Sequence, residues 1–210
     1  PKKVVESGLD FMIVSMDGAT QESLAKFRIG AKLDRIVKDV QRVIEYRNSI
    51  GSKTPKVEFQ FIAMKHNIHE IKEARDLAEI MKVDVFRLKT VGINASDPKA
   101  DELIRTYLPE DSRYTRYPNA EAIKDISHHI DKLDCKRPWR HSVINQDGSV
   151  VSCCYDDQSQ YILGNLQENS FQEIWNGERY IRFRQRLLKG RSNLKTCAVC
   201  TEGLPSSVTP

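Results

Sequence analysis

No cysteine occurs in the first 134 of the 210 residues. No apolar run approaches the ~18 residues that a membrane-spanning helix needs, and no secretory signal opens the chain. A membrane partner is therefore not expected. Glycine (10) and proline (8) are too few for a collagen-like or low-complexity chain. Charge of one sign is lacking as well. Lys plus Arg is 33 against 29 Asp plus Glu, a net charge of +4, too small by itself to indicate a nucleic-acid partner. The cysteines number five, an odd count that does not suit a disulfide framework. A reducing, cytoplasmic setting is the expectation.

What remains is an ordinary globular composition, 40% hydrophobic and 30% charged. The length suits one domain or two small ones. The chain begins at Pro1, in what reads as a helix end, and all five cysteines lie at or beyond 135. A piece of a longer protein is expected, with its chemistry in the last third.

The first half alternates strands and helices. Lys2 to Gly8 reads as a helix tail stopped by glycine. Phe11 to Val14 is a short apolar run that suits a buried parallel strand, and the polar Ser15-Met-Asp-Gly18 reads as a turn. Leu33, Ile36, Val37, Val40, Val43 and Ile44 recur on one helical face. Lys56 to Met64 reads as a second strand. Ile71, Ala74, Leu77, Ala78 and Met81 mark another helix, and Val83 to Leu88 a third strand. This order predicts an α/β fold with a parallel sheet. Ligands of such folds collect beyond the carboxyl ends of the strands. Here Ser15 to Gly18, Met64 to Asn67 and Lys89 to Gly92 occupy those ends. Asn94 to Asn119, with Pro98, Pro109 and Pro118, shows no clear period and reads as a linker or loose loop.

The strongest signal begins at Cys135. Gly148 lies five residues before Cys153, which adjoins Cys154, and Cys197-Ala-Val-Cys200 follows a long gap. Val143 to Val151 reads as a hairpin with Asp147-Gly148 at its tip, returning Cys153 beside Cys135. Two intervening residues let a C-x-x-C loop fold round one centre. Four thiolates at these spacings suit Zn²⁺ or an iron–sulfur cluster, and thiolate chemistry alone does not separate the two. Adjacent side chains point apart in extended chain, so Cys153 and Cys154 do not both reach one centre. The distance from Gly148 favours Cys153. Cys154 is then a spare thiol, a pocket residue, or the ligand itself if the turn is shifted. The five histidines lack ligand spacing: His66 and His69 have no acid in the place an H-E-x-x-H pair requires. Arg179 to Lys195 holds seven basic residues and no acid, which reads as a solvated helix face or a surface for an anionic partner.

The blocks Cys135-Lys-Arg-Pro-Trp139, Asp147-Gly148-Ser-Val-Val-Ser-Cys153-Cys154, Leu163-Gly-Asn165, Glu173-Ile-Trp-Asn176 and Cys197-Ala-Val-Cys200 resemble a SPASM-type domain. That is the auxiliary iron–sulfur domain of one branch of the radical S-adenosylmethionine enzymes. Ser15-Met-Asp-Gly18, Lys26-Phe-Arg28 and Met64-Lys-His-Asn67 are similar to the later strands of those enzymes' partial (β/α)6 barrel. The resemblance implies the later half of a TIM-like barrel over 1–94, a linker with a helix over 95–128, and a small cysteine-rich α+β domain over 129–205. The C-x-x-x-C-x-x-C motif of the family is missing. The resemblance therefore implies an N-terminally truncated enzyme, inactive alone.

The implied activity of the full protein is that of an oxidoreductase or maturase. It would generate a 5′-deoxyadenosyl radical and take a hydrogen atom from a peptide or small-molecule substrate. The implied cofactors are an auxiliary 4Fe-4S cluster on Cys135, Cys153, Cys197 and Cys200, a second 4Fe-4S cluster, and S-adenosylmethionine. Ser15, Asp17, Arg28, Met64 and Asn67 would line the S-adenosylmethionine site, with Arg28 meeting its carboxylate. Asp156 and Asp157 would face the substrate as acid or base groups, or else form a solvated turn. Trp139 and Trp175 would shield the cluster from water. A flavodoxin or ferredoxin would serve as reductant, and nucleic acid is not expected. Two alternatives stand beside this reading. One is a zinc-stabilised nucleic-acid-binding module, and the other is a non-catalytic iron–sulfur electron-transfer subunit.

Overall fold

The computed structural model describes residues 1–95, 97–117, 119, 121–124, 134–204 and 207–208. The chain divides into two compact units. One comprises 1–92, 101–118 and 205–210, the other 93–100 and 119–204. Among the described residues, no helix is long and apolar enough to cross a membrane.

In the first unit, α1 (Lys2–Glu6) leads to β1 (Phe11–Ser15), then α2 (Gln21–Phe27), α3 (Leu33–Ser49), β2 (Lys56–Ala63), α4 (Ile71–Met81) and β3 (Val85–Thr90). The three strands form a parallel sheet in the order β1-β2-β3. Period-two alternation decides its two faces. Val57, Phe59, Phe61 and Ala63 of β2 are fully buried against the core, which Val40 and Ile44 of α3 and Ala74, Ala78 and Met81 of α4 share. Burying each larger apolar side chain contributes about 1.5–3 kcal/mol. The opposite face is polar at its centre. Glu58 on β2 is buried, paired at 2.8 Å with Arg87 of β3 and accepting from Gln60 Nε2 at 2.6 Å.

Three features depart from the sequence reading. Helix α2 lies between the expected turn and the expected helix from Leu33, in a stretch the sequence reading leaves unassigned. Thr20 caps it, its Oγ1 accepting from the Ser23 amide. The segment Met16-Asp17-Gly18 is buried rather than a solvated polar turn. Its glycine is required by proximity, because a Cβ on Gly18 would stand 2.3 Å from the Leu24 nitrogen. A further helix, α5 (Ala100–Tyr107), lies within the stretch expected to be irregular. Ala100, Leu103, Ile104 and Tyr107 give it an amphipathic pattern too short to stand out between prolines.

In the second unit, α6 (Glu121–Lys124) precedes β4 (Val143–Ile144), β5 (Ser149–Val151), β6 (Gly164–Asn165), α7 (Phe171–Asn176), α8 (Glu178–Leu188) and α9 (Lys195–Ala198). Strands β4 and β5 form the expected hairpin, and β6 adds a third antiparallel strand. Gly148 sits at φ 81° in the hairpin turn, a left-handed conformation that glycine adopts without penalty. Ser170 and Glu173 cap α7 reciprocally. Tyr180, Phe183 and Leu187 on one face of α8 pack with Val150, Leu163, Ile174 and Leu194. His128 and His129 lie outside the described residues.

Candidate metal centre

The second unit brings four separated cysteines together. Cys135 precedes a short 3-10 turn, Arg137–Trp139. Cys153 follows the end of β5, and Cys197 and Cys200 flank the end of α9. All four line one hollow of the second unit. Tyr155, Tyr161, Phe183 and Leu187 contribute its apolar wall, and Arg137 and Arg191 bring cationic groups. None of the five cysteines forms a disulfide. Cys154 is exposed and outside the hollow, with its Sγ 3.9 Å from Arg137 Nη1. Trp139 and Trp175 are not among the lining residues. Trp175 instead packs on Tyr180, with ring centroids 4.8 Å apart.

Burial governs the electrostatics of the thiols. It pushes Cys197 up to about 12, and the neighbouring Cys153 and Cys200 push the same way. It pushes Cys200 up to about 11, and Cys153 also rises by burial. Thiols held this high stay protonated at neutral pH unless a bound cation displaces the proton. Among the described residues, no three Cys, His, Asp or Glu side chains converge closely enough for a single metal ion. A mononuclear zinc site needs its sulfurs about 2.3 Å from one point. The donor set, four thiols lining one hollow, suits either zinc or a polynuclear iron–sulfur centre.

Asp156 and Asp157 differ in setting. Asp156 is buried in the wall, its oxygens accepting from the Gln160 amide at 2.9 Å, the Tyr161 amide at 2.9 Å and Thr196 Oγ1 at 3.1 Å. It clamps the loop after Cys153 to α9. Asp157 is exposed.

The basic run is not simply a solvated face. Arg184 lies 4.5 Å from the Trp175 ring centroid and 4.2 Å from that of Tyr180, and donates to the Pro138 and Trp175 carbonyls. Arg191 is buried and donates to the carbonyls of Glu202 and Cys200. These guanidiniums satisfy backbone oxygens in the last turn of α7 and in the segments around Pro138, Cys200 and Glu202.

In the first unit, four of the five residues expected near S-adenosylmethionine form one network at the ends of β1 and β2. Asp17 is fully buried. Its Oδ2 accepts from Arg28 Nε at 2.7 Å and Nη2 at 2.6 Å, and its Oδ1 from the Ile62 amide at 2.8 Å. Asn67 Oδ1 accepts from the Met64 amide at 2.7 Å, and its Nδ2 donates to the carbonyls of Asp17 and Ile62. Ser15 stands outside this network, exposed at the strand end. Arg28 is thus engaged by Asp17, with 37% of its side chain exposed.

Sequence reasoning missed Glu70, which ties the same loops together. The buried carboxylate accepts from the Ala19 amide at 2.9 Å, from Thr20 Oγ1 at 2.7 Å and from Ser23 Oγ. It also missed Arg137 and Tyr155 in the wall of the hollow, whose partners Glu202 and Thr201 lie far along the chain. Arg191 stands out in the sequence only as one of a basic run, and its place in the wall was missed.

Known proteins share features of the cysteine-bearing part of the second unit. Residues 135–201 match the family model of SPASM, an iron–sulfur cluster-binding domain. This segment is similar to a SPASM domain. Over 214 aligned positions the chain is 22% identical to the tungsten-containing aldehyde ferredoxin oxidoreductase cofactor-modifying protein of Pyrococcus furiosus, covering 87% of this chain and 57% of that protein. Over 69 residues it is 28% identical to the S-adenosyl-L-methionine-dependent 2-deoxy-scyllo-inosamine dehydrogenase of Niallia circulans, covering 32% of this chain and 28% of that protein. The chain thus spans just over half of one curated relative and under a third of the other. Among solved structures, BtrN in an open conformation aligns over 94% of this chain and 95% of that chain at 12% identity, with a TM-score of 0.34. BtrN in complex with AdoMet and 2-DOIA aligns over 92% of this chain and 93% of that chain at 15% identity, with a TM-score of 0.31.

Proposed function

We propose that this chain is part of a radical S-adenosylmethionine oxidoreductase or maturase. In this reading the SPASM domain holds an auxiliary 4Fe-4S cluster on Cys135, Cys153, Cys197 and Cys200. The observation that carries the reading is the convergence of these four thiols on one hollow, within a segment that matches an iron–sulfur domain. The exposure of Cys154, turned toward Arg137, favours Cys153 as the ligand.

When bound, the cluster and S-adenosylmethionine supply one-electron chemistry that ends in hydrogen-atom abstraction from a peptide or small-molecule substrate. The chain's own residues bind, orient and exclude water. The sheet belongs to the later half of a partial barrel. Ser15 and Arg28 offer polar groups at the strand ends, while Asp17, Met64 and Asn67 hold the two loops in register. The parent names of the two curated relatives, one cofactor-modifying and one dependent on S-adenosylmethionine, support this reading. No thiolate precedes Cys135, so the chain contributes the auxiliary cluster and one wall of the cofactor pocket. A reducing redox protein completes the scheme.

The test is metal and sulfide analysis of the anaerobically purified chain, with an electron paramagnetic resonance spectrum after reduction. About four irons and four sulfides per chain are expected. About one zinc and no sulfide, under conditions that preserve clusters, would replace this reading with the zinc-stabilised binding module.

A further inference from the structure

Four thiolates in one hollow concentrate negative charge, and each reduction of a cluster held there adds to it. Two guanidiniums line the same hollow. Arg137 stands with its Nε 2.9 Å from Glu202 Oε2, so a carboxylate offsets its charge locally. Arg191 is 4% exposed. Its Nη1 donates to the Glu202 carbonyl at 2.8 Å and its Nη2 to the Cys200 carbonyl at 3.2 Å. Gly190, at φ 137°, turns the chain out of α8 immediately before it. The turn brings a buried cation against the backbone of the C-x-x-C loop.

A guanidinium keeps its proton even when buried. Charges act strongly on one another where water is excluded. The potential of an iron–sulfur centre depends on net charge, hydrogen bonding and exposure around its sulfurs. We propose that Arg191 is a positioning and charge-balancing residue for the cluster of the SPASM domain. It fixes the Cys197–Cys200 loop through its carbonyls and favours the more negative, reduced form of the cluster. The inference rests on the cluster reading above and adds a specific residue to it.

The experiment is a redox titration of the anaerobically loaded full chain, followed by electron paramagnetic resonance, on wild type, Arg191→Gln and Arg191→Lys. Arg191→Gln is expected to lower the ratio of reduced to oxidised cluster about tenfold at a fixed potential, a shift of about 59 mV for one electron. Arg191→Lys keeps the charge and should stay within roughly half that shift on the same scale. Equal shifts in the two Arg191 variants, or no shift in either, at wild-type iron and sulfide content, would overturn the proposal. If Arg191→Gln fails to load and Arg191→Lys loads, the charge role stands; if neither loads, the charge role is overturned and the positioning role alone stands. Absence of iron and sulfide in the wild type defeats the parent reading instead, so the two failures are distinguishable.

Discussion

Arg28 reaches Asp17 with two nitrogens, Nε at 2.7 Å and Nη2 at 2.6 Å, both on the same carboxylate oxygen. The other oxygen serves the Ile62 amide. One carboxylate therefore binds the loop after β1 to the end of β2. Burial raises its pKa, opposed by the Ile62 amide and by Arg28. A carboxyl raised in the folded state stabilises most below its unfolded pKa of about 3.9, and that contribution is lost as pH rises through the folded value. Arg28→Gln removes one group holding the folded value down. The variant should lose roughly 1–2 kcal/mol at pH 7, discounted for the exposure of Arg28, and less near pH 4. Urea unfolding at both pH values checks this. Equal losses would mean that the pair does not couple to the charge of Asp17.

Glu70 behaves in the opposite sense. Burial alone would raise its pKa, but the Ser23, Thr20 and Ala19 donors together hold it below the usual range. Its stabilising contribution is therefore present above the unfolded pKa of about 4.3 and lost as pH falls through the folded value. Glu70→Gln should cost about 1–2 kcal/mol at neutral pH. The difference from wild type should shrink in acid. A stability profile from pH 7 to 3 that stays parallel to wild type would refute the assignment.

The two adjacent cysteines should separate cleanly. Cys153→Ala should abolish or sharply reduce iron and sulfide uptake, as should Cys135→Ala, Cys197→Ala and Cys200→Ala. Cys154→Ala should load as the wild type does, because its sulfur lies outside the hollow. Iron analysis after anaerobic reconstitution reads the result directly. Loss of the cluster in Cys154→Ala, with retention in Cys153→Ala, would exchange their roles.

Gly18 and Gly148 should each resist substitution, for different reasons. A Cβ on Gly18 collides with the backbone of α2, which has no flexible end to move aside. A Cβ on Gly148 meets Asn165 Oδ1 at 2.7 Å and stands on a φ of 81°. Gly148→Ala should cost about 1–2 kcal/mol. Gly18→Ala should cost more, read as a larger drop in melting temperature.

The legible parts of this molecule were those written in local periodicity. Phe59 and Phe61 announced a strand by alternation, and Val40 and Ile44 a helix by spacing. Asp147-Gly148 marked its own turn. The paired spacing of Cys197 and Cys200 pointed to a thiolate centre without reference to the fold. Helix α2 stayed hidden because its seven residues offer one buried apolar side chain, Leu24, and no repeat. The tie between Glu70 and Ser23 spans 47 residues, and the contact of Arg184 with Pro138 spans 46. Such links depend on which loops the topology brings together, so no window of sequence contains them.

The inward arginines change what counts as a mild substitution in this chain. Arg184 and Arg191 use a planar fork to reach two carbonyls at once, a geometry that an ammonium on a flexible stem does not reproduce. Arg179 and Arg182 are exposed on α8, the second in an i,i+4 pair with Glu178. A scan exchanging arginine for lysine would leave net charge untouched at all four positions. Proteolytic resistance should survive at 179 and 182 and fall at 184 and 191, dividing one seemingly uniform basic run into a tolerant exterior and an internal scaffold.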